Sequence, residues 1–423
     1  MTPPRHGGVA TSESSIAPEE VVGVAVRDAL DIVDANLVTF GDRFPHDNTV
    51  DEVYQLRPAV RGWGQDLPAG SNYGWTTSFW SGQLWLAWEL TGRDRYRDLA
   101  LAHVESFARR VRDGVDLDHH DLGFLYSLAC VTPDRLVGSA EGRCAALAAA
   151  DLLMRRFLEP AGIIQAWGDL SDPAEQGRGI IDSLLNMPLL YWASKVSGER
   201  RYAEAAERHT RQLQRHIVRD DDTTFHTFHW DPVTGEPRSG STHQGHADDS
   251  CWARGQAWGI YGFALAYRHT GDATFLRTAA RCADYFLAHL PRDGVAFWDL
   301  VFSDGDDQPR DSSSAAIAAC GLLELAEGLA GADGVEEPTF SGEIDDDATT
   351  RVARYREAAV DMVTSLAERY TPRALGAQSN ALLLHGVYNL PRGMGIDEGN
   401  LWGDYYYLEA LVRLRRPDWV PYW

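Results

Sequence analysis

Two aspartates lie in apolar surroundings, where an ionised carboxylate is costly. Asp121 stands in the run HHDLGFLYSLAC (119–130), and Asp182 stands in GIIDSLLNMPLLYWA (179–193). A carboxylate among Ile, Leu and Met side chains loses hydration unless partners replace it, so its pKa tends to rise. A carboxyl group that keeps its proton near neutral pH can act as a general acid. Both residues are therefore candidates for proton transfer.

Several tryptophans lie in segments that also contain glycine and histidine. Their flat indole faces are suited to packing against sugar rings. A pair of carboxylates among such side chains therefore indicates carbohydrate chemistry. The tryptophans are Trp75, Trp80, Trp167, Trp252 and Trp258.

Each aspartate also has a purely structural interpretation. Asp121 directly precedes the helix-like run LGFLYSLA, so its side chain could cap that helix. Asp182 is flanked by Ile181 and Leu184, and a structural carboxylate there would need a buried donor or cation. Both interpretations stay open for both residues at this point.

The segment THQGHADDSCWARGQAW (242–258) concentrates polar side chains. His243 and His246 are followed by two aspartates, but their spacing matches no standard ligand set, so we expect no metal and no cofactor. Arg254 fits better as a fixed positive group, which would suit a ligand carrying a carboxylate. The chain contains no GxSxG, Walker, GxGxxG or HExxH motif, which argues against the common serine hydrolase, nucleotide-binding and zinc protease classes.

Helical hairpins are the elements that would position these residues. Three segments share a glycine that is followed four residues later by an aromatic residue and eight residues later by alanine, at residues 88–100, 192–206 and 267–279. This pattern predicts that one helix ends at the glycine and a second begins at once. Each hairpin can bury its apolar face only against its neighbours, so we expect a closed toroid of about twelve helices.

Three more apolar runs are candidates for helices of the toroid, at residues 150–160, 314–329 and 356–370. Two polar segments are exceptions and are expected at one rim. Residues 225–249 contain turn formers and threonines, which predicts a short β-hairpin. Residues 334–350 are acidic and contain glycine and proline, which predicts a solvated loop.

Composition bears on the partners and the location of the protein. With 39 Lys and Arg against 62 Asp and Glu, the formal charge of −23 argues against nucleic acid and anionic membranes as partners. The five scattered cysteines are expected to be reduced thiols. We find no signal-peptide pattern and no apolar run of membrane length, so we expect a cytoplasmic protein. No linker divides the chain, which predicts a disordered leader (1–18) and one domain (19–423).

Six motifs follow one another along the chain: WTTSFWSGQLWLAWELTG (75–92), HHDLGFLY (119–126), IIDSLLNMPLLYWA (180–193), THQGHADDSCWARGQAWGIYGF (242–263), RDSSSAAIAACGLLEL (310–325) and WGDYYYLEALVR (402–413). Together they resemble the unsaturated glucuronyl hydrolases, glycoside hydrolase family 88. The resemblance implies an all-α (α/α)6 barrel with short β or loop insertions at one rim. It also implies a metal-free enzyme whose substrate is an oligosaccharide, typically a disaccharide, that a polysaccharide lyase has left with a 4,5-unsaturated uronate at its non-reducing end.

The same resemblance implies roles for individual residues. Asp182 in the second of the two aspartate motifs would be the general acid and base, and Asp121 would also act at the site. The matching motifs further imply a set of substrate-binding residues, which are Trp75, His120, Trp167, His226, Gln244, Arg254 and Trp258.

Departures from the family pattern concern the substrate more than the reaction. Thr77 and Ser78 replace an Asp-Gly pair, and residues 375–389 differ near the place where some relatives recognise sulfate. Three alternatives stay open: an unsaturated rhamnogalacturonyl hydrolase, a sugar epimerase relying on paired histidines such as His226 and His243, and a non-catalytic sugar-binding toroid. The protein could be a monomer or a dimer.

Overall fold

The computed structural model describes residues 17–61, 66–172, 174–331 and 348–423. Within these ranges, long helices alternate along the chain between an outer and an inner layer. The outer helices are α1 (Pro18–Phe40), α3 (Asp94–Asp113), α5 (Ala140–Met154), α7 (Arg200–His216), α9 (Ala273–Ala288) and α11 (Ala348–Arg369). The inner helices are α2 (Thr77–Thr91), α4 (122–137), α6 (Met187–Ser197), α8 (Ala253–Thr270), α10 (Ser312–Gly331) and α12 (Leu401–Arg415).

Burial distinguishes the two layers. The inner helix α8 is buried without interruption from Ala253 to Ala266, whereas the outer helix α7 buries only six of its 17 residues, on one face. A helix that is buried all round must be enclosed by other elements, while a one-sided helix covers them. Six inner helices enclosed by six outer helices form the expected (α/α)6 barrel.

The three predicted glycine hairpins are confirmed. Gly92, Gly198 and Gly271 end α2, α6 and α8 with φ angles of 67°, 78° and 71°. This left-handed conformation is unfavourable for residues that carry a side chain, so glycine is the natural helix terminator here. In each case the outer helix begins two residues later. The hairpins therefore join an inner helix to its outer neighbour by the shortest connection.

The three further helical runs have mixed outcomes. Residues 314–329 lie in α10, and residues 356–370 lie in α11 apart from the last one. The prediction of a helix over 150–160 is confirmed for residues 150–154, which lie in α5, and is wrong for the rest, because α5 ends at Met154 and the chain turns into strand β1 (Phe157–Leu158). Pro160 cannot continue a helix, and Gly162, at φ 67°, allows the turn back into the paired strand β2 (Ile163–Ile164).

Helix α10 is the one described helix that is long and apolar enough to cross a bilayer by composition alone. Within its most apolar stretch of 18 residues, 67% is buried, and the helix packs against α8, α11 and α12. Those contacts are what a central helix of the barrel requires.

Short strands gather at the rim where the inner helices begin. Strands β3 (Arg178–Ile180), β4 (Thr227–Trp230) and β5 (Pro237–Ser241) form an antiparallel sheet, and β6 (Gly386–Asn389) pairs with β7 (Met394–Glu398). The hairpin predicted over 225–249 is thus confirmed as β4 and β5. Strand β3 leads directly into a 3-10 turn, Ile181–Asn186, which precedes α6.

Two predictions fall largely outside the described residues. They are the leader (1–18), of which only the last two positions are described, and the acidic loop (334–350). The single domain (19–423) stays a prediction.

Asp404 is a buried carboxyl group in the first turn of α12. Its Oδ1 accepts a hydrogen bond of 2.9 Å from the backbone N–H of Leu383. Burial nevertheless raises its pKa to about 7, since the favourable backbone N–H groups of Leu382 and Leu383 do not offset the lost hydration. Asp404 therefore keeps its proton over much of the acidic range in the folded protein.

We predict that, as pH rises, the free energy of unfolding decreases less in Asp404→Asn than in the wild-type protein. The folded protein binds this proton more tightly than the unfolded chain does, so stability falls as pH rises from the unfolded pKa of 3.8 towards about 7. Urea unfolding at pH 5 and pH 8 should show a smaller decrease for the variant, by on the order of 2 kcal/mol. Equal decreases in the two proteins would contradict the raised pKa.

Candidate active site

A cavity of about 370 Å³ opens at the end of the barrel where several inner helices begin. Trp75, Asp121, Asp182 and Arg254 lie at or just before the starts of α2, α4, the 3-10 turn and α8. The unpaired N–H groups at helix starts favour negative charge nearby, which suits an acidic sugar. All nine residues predicted from the sequence line this cavity: Trp75, His120, Asp121, Trp167, Asp182, His226, Gln244, Arg254 and Trp258.

Asp182 lies in the 3-10 turn that follows strand β3, beside the buried residues Ile180 and Ile181. Its Oδ1 has no hydrogen-bond partner among the described residues. Burial raises the pKa of Asp182 well above its ordinary value, and the negative charge of Asp121 raises it further, against the opposing effect of Arg254. The side chain retains 18% of its surface exposed, so a substrate in the cavity can reach it.

Asp121 has the opposite electrostatic character. Burial opposes its ionisation, but His120 and His119, each with a ring nitrogen 3.3 Å from an Asp121 oxygen, outweigh that effect and hold its pKa below the ordinary value. Asp121 stands at the N-cap position of α4, yet its side chain makes no capping hydrogen bond. The capping interpretation is therefore wrong, and the carboxylate faces the cavity.

His120 lies between the two carboxyl groups. Its Nε2 is 3.3 Å from Asp121 Oδ1 and 3.7 Å from Asp182 Oδ1. Burial lowers the pKa of His120 to about 4, so its ring is neutral above that pH. The arrangement thus places an ionised carboxylate and a protonated carboxyl group near the same nitrogen of a neutral imidazole. Environments that separate the pKa values of two carboxyl groups in this way assign one as the acid.

Arg254 lies in the first turn of α8 and is held by three hydrogen bonds. Its Nη1 donates to Asp311 Oδ2 at 2.7 Å and to the backbone oxygen of Val387, and its Nη2 donates to the backbone oxygen of Tyr388 at 2.7 Å. The guanidinium group also lies over the ring of Trp252, 4.5 Å from its centroid. These three bonds use three of the five N–H donors of an arginine, so donors remain for a ligand.

His226 and Gln244 form a second polar arm of the cavity. The Gln244 side-chain N–H donates to the backbone oxygen of Tyr388 at 2.8 Å, so its Oε1 is an acceptor, 2.9 Å from His226 Nε2. His226 therefore donates through Nε2 and accepts from Thr227 Oγ1 at Nδ1, at 2.7 Å. Burial lowers the pKa of His226 to about 3, which agrees with this neutral form.

The tryptophans divide between the cavity and the core. Trp75 donates from Nε1 to the Tyr388 hydroxyl at 2.9 Å, and the Trp167 ring meets His243 edge to face at 5.0 Å. Trp80 is not among the residues that line the cavity, and its ring packs edge-on against Phe40. Trp80 is thus a core residue rather than a sugar-stacking candidate.

The two departures in the first motif also lie away from the cavity. Thr77 donates to Asn72 Oδ1 at 2.8 Å, and Ser78 donates to the backbone oxygen of Phe124 at 2.9 Å. Both are buried, so they fasten the start of α2 to its neighbours.

Sequence reasoning missed the contribution of the β6–β7 hairpin to the cavity. Tyr388, Asn389, Arg392 and Met394 all line it. The alternation of apolar and polar residues in GVYN and MGIDE is too short to stand out, although the LLLHGVYN run adjoins a departure already noted.

One group of side chains among the described residues is close enough to hold a cation. Ligand atoms of His120, Asp121 and Asp182 lie within 4.8 Å of one another. A metal would require Asp182 to be ionised, because carboxylates bind cations in their deprotonated form. Because the pKa of Asp182 is raised, a cation bound there would have to displace its proton. His243 and His246 do not converge, since His246 packs against Phe302 instead.

Comparison with known proteins gives the wider context of this cavity. The family model described as Glycosyl Hydrolase Family 88 matches residues 47–333. The chain belongs to glycosyl hydrolase family 88. It is 43% identical to an unsaturated chondroitin disaccharide hydrolase of Streptococcus pneumoniae, over 97% of this chain and 96% of that protein. It is also 44% identical to an unsaturated glucuronyl hydrolase of a Bacillus species, over 93% and 96% of the two chains.

The fold comparison agrees with the family assignment. A crystal structure of an unsaturated glucuronyl hydrolase from Streptococcus agalactiae matches with a TM-score of 0.85 at 39% identity, covering 100% of both chains. The resemblance inferred from six motifs and the (α/α)6 barrel are therefore confirmed. The family 88 chain is a glycoside hydrolase, which sets aside the epimerase and the non-catalytic toroid as interpretations.

We predict that the family 88 enzyme keeps full activity after prolonged treatment with EDTA. The physical reason is that the carboxyl group nearest the reaction holds a proton and not a cation. Activity before and after chelation, with elemental analysis of the purified protein, tests this. A stoichiometric bound metal whose removal abolishes turnover would show that the carboxyl cluster is a metal site.

We also predict that Arg254→Ala destabilises the fold. Asp311 is 0% exposed, and loss of its guanidinium partner leaves its buried charge with only the neutral donors of Ser313 and Val387, which costs about 3 kcal/mol. Gln244→Ala is the matched control, because it removes a donor to the same Tyr388 oxygen without stranding a charge. Urea unfolding should show the larger loss for Arg254→Ala, and equal losses would disprove the importance of the buried pair.

Proposed function

We propose that this family 88 enzyme releases a 4,5-unsaturated uronic acid from the non-reducing end of lyase-generated disaccharides, with Asp182 as both acid and base. The observation that carries the proposal is the opposite pKa shift of two carboxyl groups that both approach Nε2 of neutral His120, in a cavity lined by tryptophans. A protonated carboxyl group at neutral pH is what an acid-initiated reaction requires.

The reactive part of such a substrate is a vinyl ether conjugated to a carboxylate. Protonation at C4 develops positive charge shared between C5 and the ring oxygen. Asp182 supplies this proton, because its raised pKa keeps it protonated and the exposed part of its side chain lines the cavity. The ionised Asp121 nearby stabilises the developing positive charge electrostatically.

Water then completes the reaction. Asp182, now ionised, removes a proton from water as the water oxygen bonds to C5, and this step restores the protonated acid. The product is a hemiketal, which opens the ring and releases the sugar held at C1. Because no carboxylate attacks the anomeric carbon, the distance rule that separates retaining from inverting glycosidases does not apply.

The remaining cavity residues bind and orient the substrate. We assign recognition of the uronate carboxylate to the free donors of Arg254 and to the start of α8. Gln244 contacts a sugar hydroxyl group through its remaining N–H donor, and His226 holds the Gln244 side chain in place. Trp75 and Trp258 present aromatic surface to the rings.

Glycosaminoglycan disaccharides are the substrate class that we propose. The name of the Streptococcus pneumoniae relative, at 43% identity over most of both chains, supports unsaturated chondroitin disaccharides. Loss of the conjugated alkene absorbance across unsaturated disaccharides from chondroitin, hyaluronan, heparin, gellan and ulvan would rank the substrates. Highest turnover on gellan or ulvan products would contradict the assignment.

We also propose that the enzyme works in the cytoplasm. All five cysteines are free, and four of them are buried. Thiols persist in a reducing compartment, which supports this location. Fractionation of the source cells would test it, and recovery of the enzyme outside the cytoplasm would refute it.

We predict that Asp182→Asn keeps the fold and lowers kcat by at least about 10²-fold, since the amide preserves shape but cannot transfer a proton. Thermal unfolding would confirm that the variant is folded, and the alkene absorbance assay would measure turnover. Mass spectrometry of the wild-type reaction should show the addition of one water molecule. Substantial activity in a folded Asp182→Asn variant would remove Asp182 from this role.

The pH dependence of kcat tests whether the negative charge of Asp121 raises the pKa of Asp182. Activity should fall as pH rises through the raised pKa of Asp182, because the acid form is then lost. Asp121→Asn removes the negative charge that helps to raise this pKa, so the alkaline limb of the kcat profile should move to lower pH. An unmoved alkaline limb in Asp121→Asn would contradict the proposed coupling.

A further inference from the structure

His209 lies on the outer helix α7, but its ring is completely buried behind the turn that carries Asp182. Its Nδ1 accepts a hydrogen bond of 2.9 Å from the backbone N–H of Ile164 in strand β2. Its Nε2 lies 2.7 Å from Oγ of Ser183, the residue that follows Asp182. His209 is 0% exposed and does not line the cavity.

The hydrogen bonds fix the protonation of this histidine. Because Ile164 donates to Nδ1, that atom carries no proton, and Nε2 must donate to Ser183 Oγ. The Ser183 hydroxyl then donates to the backbone oxygen of Ile180. Burial lowers the pKa of His209 to about 3, so the neutral form persists. A directed chain of bonds thus runs from β2 through His209 and Ser183 to Ile180.

This chain of bonds closes the 3-10 turn around Asp182 from behind. Ile180 and Ser183 stand on either side of Asp182 in sequence, and His209 anchors them to the outer layer. Oδ1 of Asp182 has no partner of its own, and the backbone N–H groups that favour its ionised form belong to Asp182 and Ser183. The direction of the carboxyl group therefore depends on the geometry of its own turn.

We propose that His209 is a positioning residue for the reaction, acting through Ser183 to hold the Asp182 carboxyl group in its apolar position. This inference rests on the proposed role of Asp182. If the turn loosens, the carboxyl group moves relative to the substrate and gains hydration. A displacement of about 1 Å can cost about 10²-fold in rate, and added hydration lowers the pKa of the acid.

The decisive variant is Ser183→Ala, which removes one oxygen atom and breaks the bonds to His209 and Ile180. We expect kcat to fall at least about tenfold with little change in KM, because the acid and not the binding surface is disturbed. The alkaline limb of the kcat profile should move to lower pH as Asp182 gains hydration. His209→Ala should behave in the same way, and His209→Gln, which can still donate to Ser183, should recover part of the lost kcat.

Thr210→Val provides the matched control. Thr210 is the next residue on α7 and is equally buried, but its hydroxyl donates at 2.8 Å to Ala206 within the helix. The control should lose stability with kcat and the pH profile unchanged. If Ser183→Ala and the His209 variants lower only the melting temperature, as the control does, the positioning role is disproved.

The results for Asp182→Asn and Ser183→Ala together distinguish a failure of the positioning role from a failure of the proposed function. An inactive Asp182→Asn together with a Ser183→Ala enzyme of normal kcat and pH profile would overturn only the positioning role. An active, folded Asp182→Asn would overturn the acid assignment and the positioning role with it. If a His209 variant fails to fold, Ser183→Ala still decides.

Discussion

The site depends on one electrostatic asymmetry, which is that two neighbouring carboxyl groups in the same apolar cavity hold different charges. Burial alone would protonate both. Asp121 has compensating partners in His119 and His120, each 3.3 Å away, whereas Asp182 has none at Oδ1 and also experiences the charge of Asp121. The surrounding partners, and not the residue type, therefore decide which group is the acid and which is the anion.

The difference in charge between Asp121 and Asp182 would be lost if the nearby guanidinium group of Arg254 had no counter-charge. Arg254 favours the ionised form of Asp182, and burial of a bare guanidinium would be costly. Asp311 provides the counter-charge at 2.7 Å, and the carbonyls of Val387 and Tyr388 accept the adjacent N–H groups. Arg254 can therefore lie near Asp182, in a place suited to binding an acidic sugar, while Asp182 keeps its proton.

Features that depend on a short stretch of sequence could be predicted, whereas features that depend on contacts formed in the fold could not. The hairpins at Gly92, Gly198 and Gly271 were predictable because a left-handed glycine terminator is a local feature. The cavity residues were predictable through motifs, and the raised pKa of Asp182 was predictable from its apolar neighbours, but the lowered pKa of Asp121 was not. The pKa of Asp121 depends on how its side chain meets His119 and His120 in the fold, and the place of Tyr388 depends on bonds to Arg254 and Gln244, more than 130 residues away in sequence.

His209 shows why a barrel of two layers suits this chemistry. An acid that must stay protonated cannot be fixed by strong donors to its own oxygen atoms, because each such bond would favour the ionised form. Its orientation must then come from the backbone, and the backbone must be fastened by groups outside the cavity. An outer helix can supply such a group at a distance from the substrate, and the bonds from Ile164 through His209 to Ser183 provide it. The outer layer thereby allows Asp182 to be both rigid and poorly solvated.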